Sequence, residues 1–90
     1  MIKHLNLEMY NRGEDPFFTR TLKHRAGMLG LKGYIERRES YLFAELEGEE
    51  ENLAQFLKEY EHGDESKDVI RLDPEYTDEY KGYDTFEIRE

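Results

Sequence analysis

The chain switches from strand to helical period twice, and that repeated switch limits the folds open to it. In "IKHLNLEMY", Leu5, Leu7 and Met9 alternate with His4, Asn6 and Glu8. Period-two alternation is the mark of a half-buried strand. In "EDPFFTRTLKHRAGMLG" the apolar spacing turns helical, with Phe18, Leu22, Ala26 and Leu29 on one stripe. The same change recurs further on. "KGYIERRESYLFAELEG" alternates, with Leu42, Ala44 and Leu46 on one face and Phe43, Glu45 and Glu47 on the other. "EEENLAQFLKEYEHG" then places Leu53, Phe56, Leu57 and Tyr60 on a helical face. Two strand–helix–strand passages bury their apolar faces most simply as helices laid on one side of a sheet.

Local signals give the boundaries. Asp15 is a good N-cap, and Pro16 suits the first helical position, where a missing N–H costs nothing. Gly30 stops the first helix and Gly63 the second. Glu49, Glu50 and Glu51 favour the positive N-terminal end of the second helix. A hairpin turn is expected near "RRES". "KDVIRLDP" predicts a short strand with Val69, Ile70 and Leu72, broken by Pro74. "EYTDEYKGY" predicts a loop, and "DTFEIRE" a last strand with Phe86 and Ile88 inward. The expected fold is α+β: a ferredoxin-like βαββαβ sandwich, a four-stranded antiparallel sheet with two helices on one face and right-handed crossovers. One domain, residues 1–90, is expected, with Phe18, Leu22, Leu29, Leu46 and Phe56 buried.

Charge narrows the function classes. The net charge is −9, which disfavours nucleic acid as a partner because phosphates repel an acidic surface. The charge is uneven. Residues 1–38 carry eight Lys/Arg against four Asp/Glu, a net of +4, whereas residues 39–90 carry five against eighteen, a net of −13. No cysteine is present, so no disulfide framework or thiolate metal site is expected. No apolar run approaches membrane-spanning length, and no secretory signal opens the chain. A monomeric cytoplasmic protein without membrane attachment is expected.

At "AGMLGLKGYI", Ala26 to Ile35, the sequence resembles the acylphosphatase family, whose pattern there is A-x-x-L-G-L-x-G-[WFY]-V. "LFAELEG", "NLAQFLKEY" and "DTFEI" extend the resemblance over nearly the whole chain. The resemblance implies an acylphosphatase-like domain. Such enzymes split acyl phosphates to a carboxylate and phosphate without metal or cofactor. Their G-x-V-Q-G-V-x-F-R loop holds the phosphoryl group through backbone N–H groups and an arginine. An asparagine within W-V-x-N positions the attacking water. Helix N-terminal amides attract anions, a guanidinium clamps two phosphate oxygens, and phosphoryl transfer rests on positioning and charge stabilisation.

Carried onto this chain, the arginine's place is Thr19, one residue after the matching Phe18. The asparagine's place is Arg37, three after Tyr34. The phosphate cradle, Asn11 to Pro16, reads N-R-G-E-D-P. Pro16 removes one donor, while Asp15 and Glu14 put negative charge where a phosphate would sit. The active site thus reads as degenerate. Arg12, Gly13, Arg20 and Arg37 are the anion-binding candidates, although one helical residue rotates Arg20 by about 100° from the expected direction. Two readings stand: a domain that has lost hydrolysis and acts through protein contacts or has an unassigned role, and a hydrolase of an acyl phosphate or another small phosphate ester with a relocated arginine. For the second, Glu36 and Glu39 are candidate bases, Glu36 with an outward tendency.

Other constellations are weaker. His4, His24 and His62 have no metal-ligand spacing and read as exposed. "DPEYTDEYKGYD" lacks the EF-hand pattern and reads as an acidic loop. Its Tyr76, Tyr80 and Tyr83 suit either a protein interface or packing beneath the loop. Ser40 and Ser66 lie in no nucleophile pattern.

Overall fold

A computed structural model describes residues 1–11, 16–62 and 69–89. The expected caps at Asp15 and Gly63, the candidates Arg12 and Gly13, Glu14 and Ser66 lie outside the described residues. The elements run β1 (Ile2–Asn11), α1 (Pro16–Met28), β2 (Lys32–Arg37), β3 (Leu42–Glu49), α2 (Glu50–His62), β4 (Val69–Thr77) and β5 (Phe86–Arg89). Both expected helices form where the 3.6-residue stripe lies, and Pro16 takes the first position of α1.

The end of α1 follows from Gly30. Its φ of 69° is one that glycine adopts without a Cβ clash. Gly30 N–H donates to the Gly27 carbonyl at 3.1 Å, and Leu31 N–H to the Ala26 carbonyl at 2.8 Å. This paired pattern satisfies the last carbonyls of a helix and turns the chain into the next strand. The hairpin between β2 and β3 closes with Arg38 N–H donating to the Tyr41 carbonyl at 2.8 Å, where "RRES" predicts the turn.

The sheet differs from the expected one. Among the described residues it has five strands in the order β4-β1-β3-β2-β5. It is mixed: β1 with β3, β1 with β4 and β2 with β3 are antiparallel, while β2 with β5 is parallel. A four-stranded antiparallel sheet would stop at β4. Here the chain leaves β4 at one edge, traverses the sheet, and adds β5 at the opposite edge. β4 also runs through Pro74, which pairs with Leu7. β4 is an edge strand, where a proline's missing donor need cost no ladder bond, so Pro74 does not break it. The expected loop therefore begins only after Thr77.

The core lies between one sheet face and the two helices. Leu5, Leu7, Met9, Leu42, Ala44 and Leu46 from the sheet meet Phe18, Leu22, Leu53 and Phe56 from the helices, all buried. Of the five residues expected inside, four are buried and Leu29 is only partly so. Gly33 has a φ of 138°, and a Cβ there would lie 1.8 Å from the Glu45 carbonyl oxygen. No other residue fits between β2 and β3 at that point without displacing a strand. The Gly33 N–H donates to the Thr85 carbonyl at 2.9 Å, tying β2 to the approach of β5.

Candidate functional site

Two regions bring chemistry-bearing side chains together. The first is the sheet end where β1 leads toward α1. Registers align Met9, Leu42 and Arg37 across β1, β3 and β2. Directly paired residues share a face, so Arg37 lies on the helix side at that end, and it is exposed. Arg37 forms no ion pair among the described residues. Glu36 projects to the other face, as expected, and pairs with Arg38 at 3.1 Å. Glu39 is exposed.

On α1, Phe18 is buried edge-on to Tyr60 with ring centroids 6.0 Å apart. That contact fixes the rotation of the helix. Thr19 is half-buried on one side of Phe18. Arg20 lies two positions round, about 200° from Phe18, and its guanidinium stacks over the exposed Phe17 ring at 5.9 Å. Arg20 therefore belongs to the outer side of α1 and does not occupy the place of Thr19. Of the sequence candidates, Arg37 lies at the helix-facing sheet end, Thr19 is half-buried on α1, and Arg20 faces the outer side of that helix.

The second region was not anticipated. The sheet face opposite the helices carries three buried polar residues: His4, Glu45 and Glu47, with 1%, 6% and 2% exposure. The β4–β5 connection covers them as it crosses the sheet. Glu47 accepts three backbone N–H groups, from Lys81 at 2.6 Å, Gly82 at 3.0 Å and Tyr83 at 3.3 Å. Glu45 accepts the Tyr34 hydroxyl at 2.6 Å, the Lys81 ammonium at 2.9 Å and the Tyr83 hydroxyl at 3.2 Å. His4 Nε2–H donates to Glu45 at 2.9 Å, and its Nδ1 meets the Thr77 hydroxyl. The expectation that His4 is exposed is thus corrected. His24 and His62 are exposed.

Burial pushes the Glu45 carboxyl up, but hydrogen bonds from Lys81, Tyr34 and His4 outweigh it and hold it down at about 2. Burial, together with the hydrogen bond to Glu45, pushes the Tyr34 hydroxyl up to about 12. A general base works best with a pKa near the operating pH. Glu45 stays ionised with its oxygens already engaged, so this cluster is a structural clamp on the strap. Of the three tyrosines expected in a loop, Tyr83 packs against Tyr34 with centroids 6.0 Å apart, Tyr76 lies in β4 and is exposed, and Tyr80 is exposed. The strand alternation carried a signal for the clamp, because His4, Glu45 and Glu47 share the face opposite the core. The covering strap lies more than thirty residues away from the two glutamates.

Among the described residues, no group of three His, Cys, Asp or Glu could hold a metal ion. Among the same residues, no helix is long and apolar enough to cross a membrane.

The acylphosphatase family profile matches residues 14–88. This chain belongs to the acylphosphatase family. Its fold is similar to that of an acylphosphatase from Coxiella burnetii, with a TM-score of 0.86 at 16% identity, covering 98% of this chain and 93% of that one. An acylphosphatase from Bacillus subtilis gives a TM-score of 0.84 at 19% identity, with both chains fully covered. Full-length HypF in its phosphate- and nucleotide-bound form gives 0.87 at 22% identity, covering all of this chain. The chain spans 12% of that HypF chain. No curated protein matches the sequence.

Proposed function

We propose that this acylphosphatase-family domain has lost acyl-phosphate hydrolysis and acts through contacts with a protein partner. The observation that carries the reading is the rotation of α1. With Phe18 in the core, Arg20 is turned onto Phe17, and the family resemblance gives the arginine's place to Thr19. A threonine hydroxyl brings no positive charge to a transferring phosphoryl group, whose reaction depends on charge stabilisation. Arg37, at the asparagine position, supplies charge but only donors. A guanidinium has no acceptor with which to orient a water by its proton, as an amide oxygen does.

A second reading rests on Arg37, an exposed cation at the helix side of the sheet end with no ion pair among the described residues. In that reading the domain hydrolyses an acyl phosphate or another small phosphate ester, using Arg37 or Arg12 together with Arg20. Benzoyl phosphate hydrolysis separates the two. The expected result is turnover at the uncatalysed background. Turnover above background that disappears in Arg20→Ala or Arg37→Ala establishes the second reading instead. Activity appearing only when Thr19→Arg and Arg37→Asn are combined with a family-like loop supports a scaffold that lost its site.

A further inference from the structure

Helix α1 is uniformly basic in its charged residues. The helix contains no Asp or Glu, and it carries Arg20, Lys23, His24 and Arg25. Arg25 pairs with Glu59 at 3.0 Å. Arg20 and Lys23 are exposed and form no ion pair among the described residues. With His24 they line a groove of about 610 Å³ that continues over Gly27 and Met28 to Ile88 of β5.

Two further features shape this groove. A Cβ at Gly27 would meet nothing within 4 Å, although alanine is favoured over glycine within a helix. The missing side chain leaves the groove open. Beside it, β5 ends the sheet, with β2 on one side and, among the described residues, no strand on the other. A strand edge without a neighbour offers backbone donors and acceptors to an added strand. Side chains of an added strand that face the helix layer would run beneath Arg20 and Lys23.

Building on the partner-binding reading, we propose that the α1–β5 groove receives an acidic, extended segment of a partner protein. The segment adds to the outer edge of β5, sets carboxylates on Arg20 and Lys23, and rests an apolar side chain on Met28 and Ile88. Charge complementarity selects this occupant. The groove is cationic on a chain of net charge −9, so an acidic segment is attracted here and repelled by the strongly acidic remainder. The same net charge disfavours a polynucleotide.

The test titrates the whole chain with a fluorescent, end-blocked peptide in which Glu alternates with Val. Fluorescence anisotropy reports binding, and amide NMR reports its place. Binding is expected to shift resonances of residues 17–28 and 86–89, to weaken as salt is raised, and to weaken by at least about tenfold in Arg20→Glu combined with Lys23→Glu. Gly27→Trp fills the groove without altering charge and is expected to weaken binding as much. These substitutions lie on exposed positions, and circular dichroism checks that the fold is kept.

Equal binding of a Lys–Val peptide overturns the proposal. So does tighter binding of a single-stranded oligonucleotide, a groove occupied by a second copy in sedimentation, or affinity unchanged in both variants. Benzoyl phosphate turnover is measured independently, so a failed peptide titration leaves the loss of hydrolysis standing.

Discussion

The two faces of this sheet handle charge in opposite ways. On the outer face, His4, Glu45, Glu47 and Lys81 bind one another and the strap that covers them. Beyond the helix layer, Arg20 and Lys23 stand in solvent without ion pairs among the described residues. Both groups are polar clusters on strands or helices of one small domain. The difference between them is whether the polar groups are already satisfied. A saturated cluster holds the fold together, and an open one is available for binding.

The largest expected effect comes from Glu47. Removing its side chain in Glu47→Ala leaves three strap N–H groups without their acceptor, and urea unfolding should show a loss of about 4 kcal/mol. A loss below about 1 kcal/mol would mean that the strap is held by something other than this carboxylate.

Glu45 gives the next effect, and it depends on pH. Its folded value of about 2 lies below the ordinary 4.5. The stabilisation is therefore complete above pH 4.5 and is lost as pH falls toward 2, amounting to about 3 kcal/mol. Urea midpoints measured across this range should fall on acidification in the parent chain. In Glu45→Gln that part of the acid limb should flatten.

Tyr34→Phe removes one donor to Glu45 and should cost about 2 kcal/mol, because the acceptor is charged and buried. At the other extreme, Arg20→Ala and Lys23→Ala should each change stability by less than about 0.5 kcal/mol. A larger loss from either would erase the contrast between the two faces.

Much of this arrangement was legible in the sequence. Residue spacing gave both helices, and Gly30 gave the end of α1, because these depend on neighbours within a few positions. The helical spacing also put Phe18 inside and Arg20 on the outer side of α1, and the burial of Phe18 and the Arg20–Phe17 contact agree. The path of the last segment was not legible. Alternation says that Glu45 and Glu47 leave the core, but it does not say what lies beyond them. That depends on a connection between the two sheet edges. Pro74 misled for a similar reason, since its tolerance depends on β4 being an edge strand, and strand order is a property of the assembled sheet.

The parallel pairing of β5 also bears on how fast the domain assembles. Phe86 has to find Gly33 across roughly fifty residues, and the clamp likewise joins Lys81 and Gly82 to a glutamate more than thirty residues away. Chains dominated by such distant pairings fold in milliseconds to seconds rather than microseconds. The clamp is therefore expected to be a late event, dependent on a sheet already in place. During that delay, the bare face with its two carboxylates carries concentrated negative charge, and like charges on neighbouring chains discourage premature association.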